Sequence, residues 1–309
     1  MRRKHGQTSR PFEKPAWQCY HAAAMSAFEY DSRHEREFRR IPRDLIRARE
    51  LLRDLVWKDL RARYRYAVMG FLWAVLEPLA FTLILAFVFS VLLADKAGFA
   101  ALKDGPPFTV MFLCGLIFWQ YTSAALTSAT FSLVISPNLI KKVHFTREVV
   151  PLAAIAVPLV NLAIGVLLLL TMHLLLGGSL SLALAWLPLV FSIQFALTAG
   201  LALLFSCGHV IYRDVGNMVN VALMFGFYAS PVFYPLDKVL TTNLLPGWAV
   251  KLYLLNPMAE LLHAYRQILF EQRFPDVSLL LWPAALAAVF VLAGAWLFRR
   301  HAPTFSDYL

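Results

Sequence analysis

Hydrophobic residues make up 59% of the 309-residue chain and aromatics 14%, far above the roughly 45–50% apolar share of soluble domains; this excludes a soluble globular protein and defines a polytopic membrane protein. The net charge is +10, and residues 1–66 hold 17 Lys and Arg against 9 Asp and Glu. That basic stretch abuts an apolar run and brings no nucleic-acid motif, so anionic lipid headgroups account for it and nucleic acid is not an expected partner. Cys19, Cys114 and Cys207 are odd in number and widely spaced, which gives neither a disulfide framework nor a metal site.

In chain order, residues 1–42 read as a mobile basic cytoplasmic tail. No apolar core follows Arg2-Arg3-Lys4 within the first 30 residues, so a cleaved signal peptide is not expected and the N-terminus is expected to stay in the cytoplasm. In residues 43–66, Leu45, Ala48, Leu52, Leu55, Val56 and Leu60 recur at helical spacing with arginines on the other face. This predicts an amphipathic helix lying in the membrane interface, with a soluble helix packed on a partner as the alternative. From residue 67 to 309 the pattern predicts a single membrane domain of six transmembrane helices, at about 68–93, 107–135, 149–176, 180–211, 215–234 and 277–298.

Six spans place both termini on one side, together with the basic 136–148 loop and the Arg299-Arg300 end. The 95–106 and 177–179 loops carry no net charge and fall opposite, which predicts cytoplasmic termini. Glu77 is expected near the headgroups, snorkelling or paired with an interfacial arginine, and His173 near the outer interface.

Two aromatic clusters stand out. One holds Phe108, Phe112, Phe118, Trp119, Tyr121 and Phe131; the other holds Phe225, Phe227, Tyr228, Phe233 and Tyr234. They fit either an interfacial and lipid-facing belt or the wall of a pathway on which apolar sugar faces stack. Residues 235–276 contain Pro235, Pro246, Gly247 and Pro257 with scattered charge and cannot cross lipid as one helix. Asn256 followed by Pro257 predicts a capped helix start. The face Met258, Leu261, Leu262, Tyr265, Leu269 and the opposite face Glu260, His263, Gln267, Glu271 predict an amphipathic or re-entrant helix on the outer side.

Enzyme signatures are missing from the sequence. No glycine is followed by lysine, so there is no P-loop, and there is no H-E-x-x-H or G-x-S-x-G. Few ionisable residues fall inside the spans, which gives ion-coupled transport little support.

The segments LVWKDLRARYRYAVMGFLWAVLEPL (55–79), LCGLIFWQYTSAAL (113–126), ISPNLIKKVHFTREVVP (135–151), YRDVGN (212–217), SPVFYP (230–235) and LYLLNPMAELLHAYR (252–266) resemble, in order and spacing, the membrane subunit of type-2 ABC polysaccharide exporters, the family that exports O-antigen, capsule and teichoic acid chains. The resemblance covers about residues 43–309. It implies a homodimeric inner-membrane permease that binds two copies of a separate P-loop ATPase and moves a lipid-linked polysaccharide. No cofactor is implied in this chain; ATP and Mg are bound by the partner. The cytoplasmic entrance falls on Arg63, Tyr64, Met69 and Gly70. Coupling to the ATPase falls on Ser136, Asn138, Leu139, Ile140, Lys141, Lys142, Val143, Phe145, Arg147 and Glu148, with the apolar residues filling a groove and Lys141, Lys142 and Arg147 setting register. Phe112, Phe118, Trp119, Tyr121, Phe225, Tyr228 and Phe233 are the channel-lining candidates, and Tyr234, Tyr253, Asn256, Pro257 and Tyr265 the outer gate. The family's usual F-P-R-E is Phe145-Thr146-Arg147-Glu148 here. A type-2 ABC exporter of lipids or drugs, or a membrane-embedded glycosyl or acyl transferase, are the competing classes.

Overall fold

The computed structural model describes residues 48–64, 72–87, 108–142, 145–236 and 246–309. The predicted tail at 1–42, the 95–106 loop, Met69, Gly70 and Val143 lie outside the described residues, as do the side chains of Tyr64, Asn138 and Lys142. Among the described residues the chain is helical, without strands. Four helical segments are long and apolar enough to cross a membrane: Thr109–Ile135, Val149–Leu175, Leu182–Ile211 and Val277–Thr304. Two shorter apolar helices lie where the first and fifth spans are expected, and the described part of the first runs only to Phe87.

The amphipathic pattern before the first span forms α1 (Arg49–Tyr64). Its Ala48 and Leu55 face is buried in the protein's own core, while Trp57 stays exposed with the Arg61 guanidinium 5.6 Å from its ring centroid. An aromatic–arginine pair on the free face suits an interfacial helix. α2 (Leu72–Phe87) follows, then α3 (Phe108–Ile135), which is the centre of the bundle: Phe112, Phe118, Ala125, Ala129 and Leu133 are fully buried along it. After the short α4 (Pro137–Lys142), α5 (Val149–Ala156) and α6 (Leu159–Leu175) form one apolar rod interrupted at Val157-Pro158. Pro158 supplies no N–H to the helical ladder, and the break falls there.

Just after the C-terminal end of α6, Gly177 has φ +85°, a conformation an L side chain resists. A Cβ on Gly178 would collide with the His173 ring at 2.3 Å. The predicted Gly-Gly-Ser turn is thus closed by two glycines for two reasons. A 3-10 turn at Leu182–Trp186, capped by Ser181, then feeds α7 (Leu187–Ile211). α8 (Val215–Ala229) stops earlier than the expected 234, because Ser230 precedes Pro231 and takes an extended backbone (φ −103°, ψ 150°). α9 (Gly247–Leu254) and α10 (Pro257–Arg266) are followed by a π-helical turn, Gln267–Glu271. α11 (Val277–His301) and the terminal turn α12 (Phe305–Tyr308) close the chain.

α7 and α11 pack most intimately, through Gly200 and Gly294: a Cβ on Gly200 would meet the Phe290 carbonyl carbon at 2.4 Å, and one on Gly294 the Gly200 oxygen at 2.5 Å. Small residues at such a crossing let apolar helices gain van der Waals contact where lipid offers no hydrophobic drive. Two apolar cores result. The larger joins α3, α6, α7 and α10; the smaller joins α1, α4, α5 and the end of α11 around Phe145, Phe298 and Phe305.

Candidate functional site

The 136–148 segment does contain a helix, α4, yet its apolar residues are not presented outward. Ile140 and Phe145 are buried in the smaller core, Leu139 is half-buried, and Lys141 is exposed. Arg147 donates from Nη1 to the Ala302 carbonyl, so it holds the chain's own C-terminal segment. Glu148 is buried and accepts from Arg299 Nε at 2.9 Å, with both side chains about one-tenth exposed. The structure thus divides the expected docking set. Ile140, Phe145, Arg147 and Glu148 anchor the segment from beneath, while Ser136, Leu139 and Lys141 stay at least partly accessible.

The aromatic candidates also separate by position. Phe112, Phe118, Trp119 and Tyr121 lie in the protein's interior, whereas Phe225 and Tyr228 are 65% and 64% exposed on α8. The two sets meet through an aromatic lattice. Phe112 stacks on Phe233 (centroids 5.4 Å apart), Phe233 contacts Phe227 (4.9 Å) and Tyr228 (5.9 Å), and Trp119 reaches Phe227 (6.2 Å). Rings at these separations stiffen a surface beyond the gain from burial alone. The exposed face of α8 carries Asn217, Met218, Asn220, Val221, Met224, Phe225 and Tyr228.

The segment around α9 and α10 is tied down more firmly than an amphipathic lid. Asn256 caps α10 as its sequence predicts, accepting from Met258 N at 3.0 Å, and its Nδ2 donates to Ser230 Oγ at 2.9 Å. Pro257 occupies the first helical position. Tyr253 OH donates to Tyr234 OH at 3.3 Å. Arg266 donates to the carbonyls of Tyr234 (2.7 Å) and Val232 (2.9 Å), closing the non-helical stretch after α8. Both faces of α10 are buried, the expected polar face with Glu260 and His263 included. Burial pushes the Glu260 carboxyl up to about 7. The part left outside is α9, with Trp248 and Leu252 exposed.

Sequence reasoning missed the polar hub beneath α10. Gln194, fully buried in α7, donates to the Phe118 carbonyl and to Thr122 Oγ1, both at 2.8 Å. Its Oε1 accepts from Tyr265 OH at 2.6 Å, while the Tyr265 ring stacks on Phe118 at 3.6 Å between centroids. An amide in an apolar span finds partners because an unpaired one is expensive in lipid. Gln194 is the sole amide in α7, and that was the available signal.

Two further expectations were refined. His173 is buried against Phe270 (5.5 Å) with Nε2 3.3 Å from the Ser179 carbonyl, so it packs against the turn that follows α6. Glu77 accepts from Gln120 Nε2 at 3.2 Å and lines a cavity with Arg63. Among the described residues, no three His, Cys, Asp or Glu stand close enough to hold a metal ion.

Four apolar helices long enough to cross a membrane, packed around a central buried helix, describe a multi-pass membrane protein. Residues 50–270 match the model of the ABC-2 type transporter family, and the chain belongs to that family. It is 29% identical over 269 residues to the O-antigen export system permease protein RfbA of Myxococcus xanthus, covering 87% of this chain and 98% of that one. It is 26% identical over 263 residues to an O-antigen export system permease protein RfbA of Klebsiella pneumoniae, covering 84% and 95%.

Proposed function

We propose that this chain is the channel-forming membrane subunit of an ATP-driven exporter that carries a lipid-linked polysaccharide out of the cytoplasm. It acts as a homodimer of six-helix subunits, with α2 and α8 belonging to the first and fifth spans, and is driven by two copies of a separate ATPase. Both termini and α4 face the cytoplasm, and residues 235–276 face outward. The similarity to O-antigen export permeases supports the substrate class.

The observation that carries the proposal is the exposed face of α8. Asn217 and Asn220 share it with Phe225 and Tyr228. Asn217 and Asn220 lie in the first two turns of α8, beside the Arg213-Asp214 connection, and extend the exposed aromatic face as a polar mouth, so this face suits a wet pathway shared with a second copy. The exposed rings offer flat apolar surfaces to the faces of sugars, and the aromatic lattice behind them keeps the wall rigid. α4, held from beneath by Ile140, Phe145 and Arg147, is a firm lever on which an ATPase can push.

The test is deletion of the coding sequence followed by fractionation of glycans. Intracellular lipid-linked glycan should accumulate as surface glycan disappears, and the wild-type chain should restore export. Normal surface glycan in the deletion strain would reject the polysaccharide reading. Unchanged glycans with altered export of lipids or drugs would favour the competing ABC class.

A further inference from the structure

The first turn of α8 is held by a side chain from the helix before it. His209, near the end of α7, is 5% exposed, and its Nδ1 accepts from the backbone N–H of Gly216 at 3.1 Å. Gly216 is the second residue of α8, and its amide is one that the helix's own ladder leaves without an acceptor. Asp214 stands at the capping position, a residue type suited to the task, yet makes no side-chain capping bond. The acceptor comes from the imidazole instead.

The ring is clamped from a third helix as well. Phe131 of α3 meets it edge-on, with centroids 4.7 Å apart and planes at 77°. A Cβ on Gly216 would lie 2.7 Å from the Phe131 ring and 2.9 Å from His209 Cε1, so glycine is what lets three helices close on one imidazole. Further along α8, a Cβ on Gly226 would meet Trp119 of α3 at 2.7 Å. α8 therefore rests on α3 at two points, about 15 Å apart along its axis at ~1.5 Å per residue. The exposed rings of Phe225 and Tyr228 flank the second point, and His209 holds the first.

This hydrogen bond fixes the protonation of the ring. A backbone N–H only donates, so Nδ1 bears no proton and the neutral ring carries its hydrogen on Nε2. A charged imidazolium has two donors and no acceptor. Proton uptake at Nδ1 sets donor against donor and leaves the buried Gly216 amide without a partner, which is costly. Few charged groups surround the ring. Arg213 presents both its backbone and its charge to it, and its Nη2 also donates to the Tyr308 carbonyl at 3.4 Å. Asp214 opens α8, but residues 215–225 of that helix and residues 127–135 of α3 hold no titratable side chain. On the α11 side of α7, Cys207 Sγ donates to the Leu297 carbonyl at 3.9 Å, and Arg299 there is taken up by Glu148.

We infer that His209 is the positioning residue of the pathway helix: its neutral imidazole latches the first turn of α8 onto α3, and protonation releases that latch. Once released, α8 pivots about the Tyr212-Arg213-Asp214 connection. A pivot of ~10° moves Phe225, about 13 Å along the axis, by roughly 2 Å and takes the exposed rings out of register with the lattice behind them. The link to transport rests on the polysaccharide-export reading; the latch itself does not.

The test measures hydrogen exchange at the Gly216 amide, by mass spectrometry on bracketing peptides of the full chain in nanodiscs, divided by the intrinsic rate at each pH. Measurements fall at about pH 7.5 and 5.5, either side of the ordinary imidazole value near 6.5. Wild-type protection should drop about tenfold at the lower pH. His209→Asn offers a carboxamide oxygen in place of Nδ1 and does not titrate, so protection should persist at both values. His209→Leu offers no acceptor and should be unprotected at both. In cells, His209→Leu should lower glycan export about tenfold at equal protein level, and His209→Asn should restore it. Equal wild-type protection at the two pH values would overturn the latch, as would a pH response in His209→Asn matching that of the wild type; neither result depends on the leucine variant folding. Full export by His209→Leu, in cells where deletion of the chain abolishes export, would overturn the positioning role. Surface glycan that survives the deletion itself would reject the polysaccharide reading instead, and the exchange measurement would still decide the latch.

Discussion

Replacing Glu148 by alanine removes one partner of the buried pair that joins the start of α5 to the end of α11. Arg299 donates to it across 2.9 Å, and both groups are largely withdrawn from solvent. Deleting one member of such a pair removes a buried charge-assisted contact of the other, a loss of about 3–5 kcal/mol. Replacing both together, as Glu148→Gln with Arg299→Met, removes the second charge as well and keeps the volume, so the loss should shrink to about 1 kcal/mol. The double variant should then be about 2–4 kcal/mol more stable than Glu148→Ala alone. Thermal unfolding of the purified chain in one detergent measures this difference. Because Arg147 and Phe145 adjoin Glu148 and pack on the same C-terminal turn, co-purification of the ATPase should fall in Glu148→Ala and return in the double variant. Additive losses, with the double variant as damaged as the two single changes summed, would refute the idea that this pair anchors the coupling segment.

Four further outcomes follow from the same geometry. Phe145→Ala opens a void in the smaller core and should cost about 3–5 kcal/mol of stability, read as a lowered thermal transition; a transition unchanged from wild type would mean the ring is not packed as described. Phe225→Ala with Tyr228→Ala should lower glycan export while leaving the thermal transition in place, whereas Phe112→Ala should lower the transition itself. Tyr265→Phe strands Gln194 Oε1 and should cost about 1–3 kcal/mol, measured the same way. Glu260 binds its proton more tightly when folded, its pKa raised from 4.5 to about 7 by burial. The folded state therefore holds more protons than the unfolded one between these values, and its stability falls as pH rises from about 4.5 through about 7. Glu260→Gln should flatten that slope and raise the transition at pH 8, and an unaltered slope would show that another group sets it.

What the sequence made legible was chiefly local. Asn256-Pro257 reads as a capped helix start because the cap involves only neighbouring atoms, and it forms as expected. The four long apolar spans follow from hydrophobicity and length alone. The early end of α8 was readable from Ser230-Pro231 but lay inside a run of aromatics that looked continuous. The inward turn of Phe145 was not readable, because its neighbours Phe298 and Phe305 lie some 150 residues further along the chain. An apolar residue between lysines looks the same whether it faces a partner or its own core. Likewise, the alternation in α10 suggested one wet face, but α3, α7 and α11 enclose both. The polar hub at Gln194 needed the packing of three helices before its partners could be named.

The most direct test of the central claim places a photo-reactive amino acid at position 225, on the exposed face of α8, and at position 112 in the interior. Illumination of cells exporting glycan, followed by gel analysis with glycan-specific staining, should give a glycan-bearing adduct at 225 and none at 112. The 225 adduct should vanish when the partner ATPase is inactivated, because no chain then enters the pathway. Adducts at 225 that contain only lipid would contradict the account, since that face would then meet the bilayer and the polysaccharide would travel elsewhere.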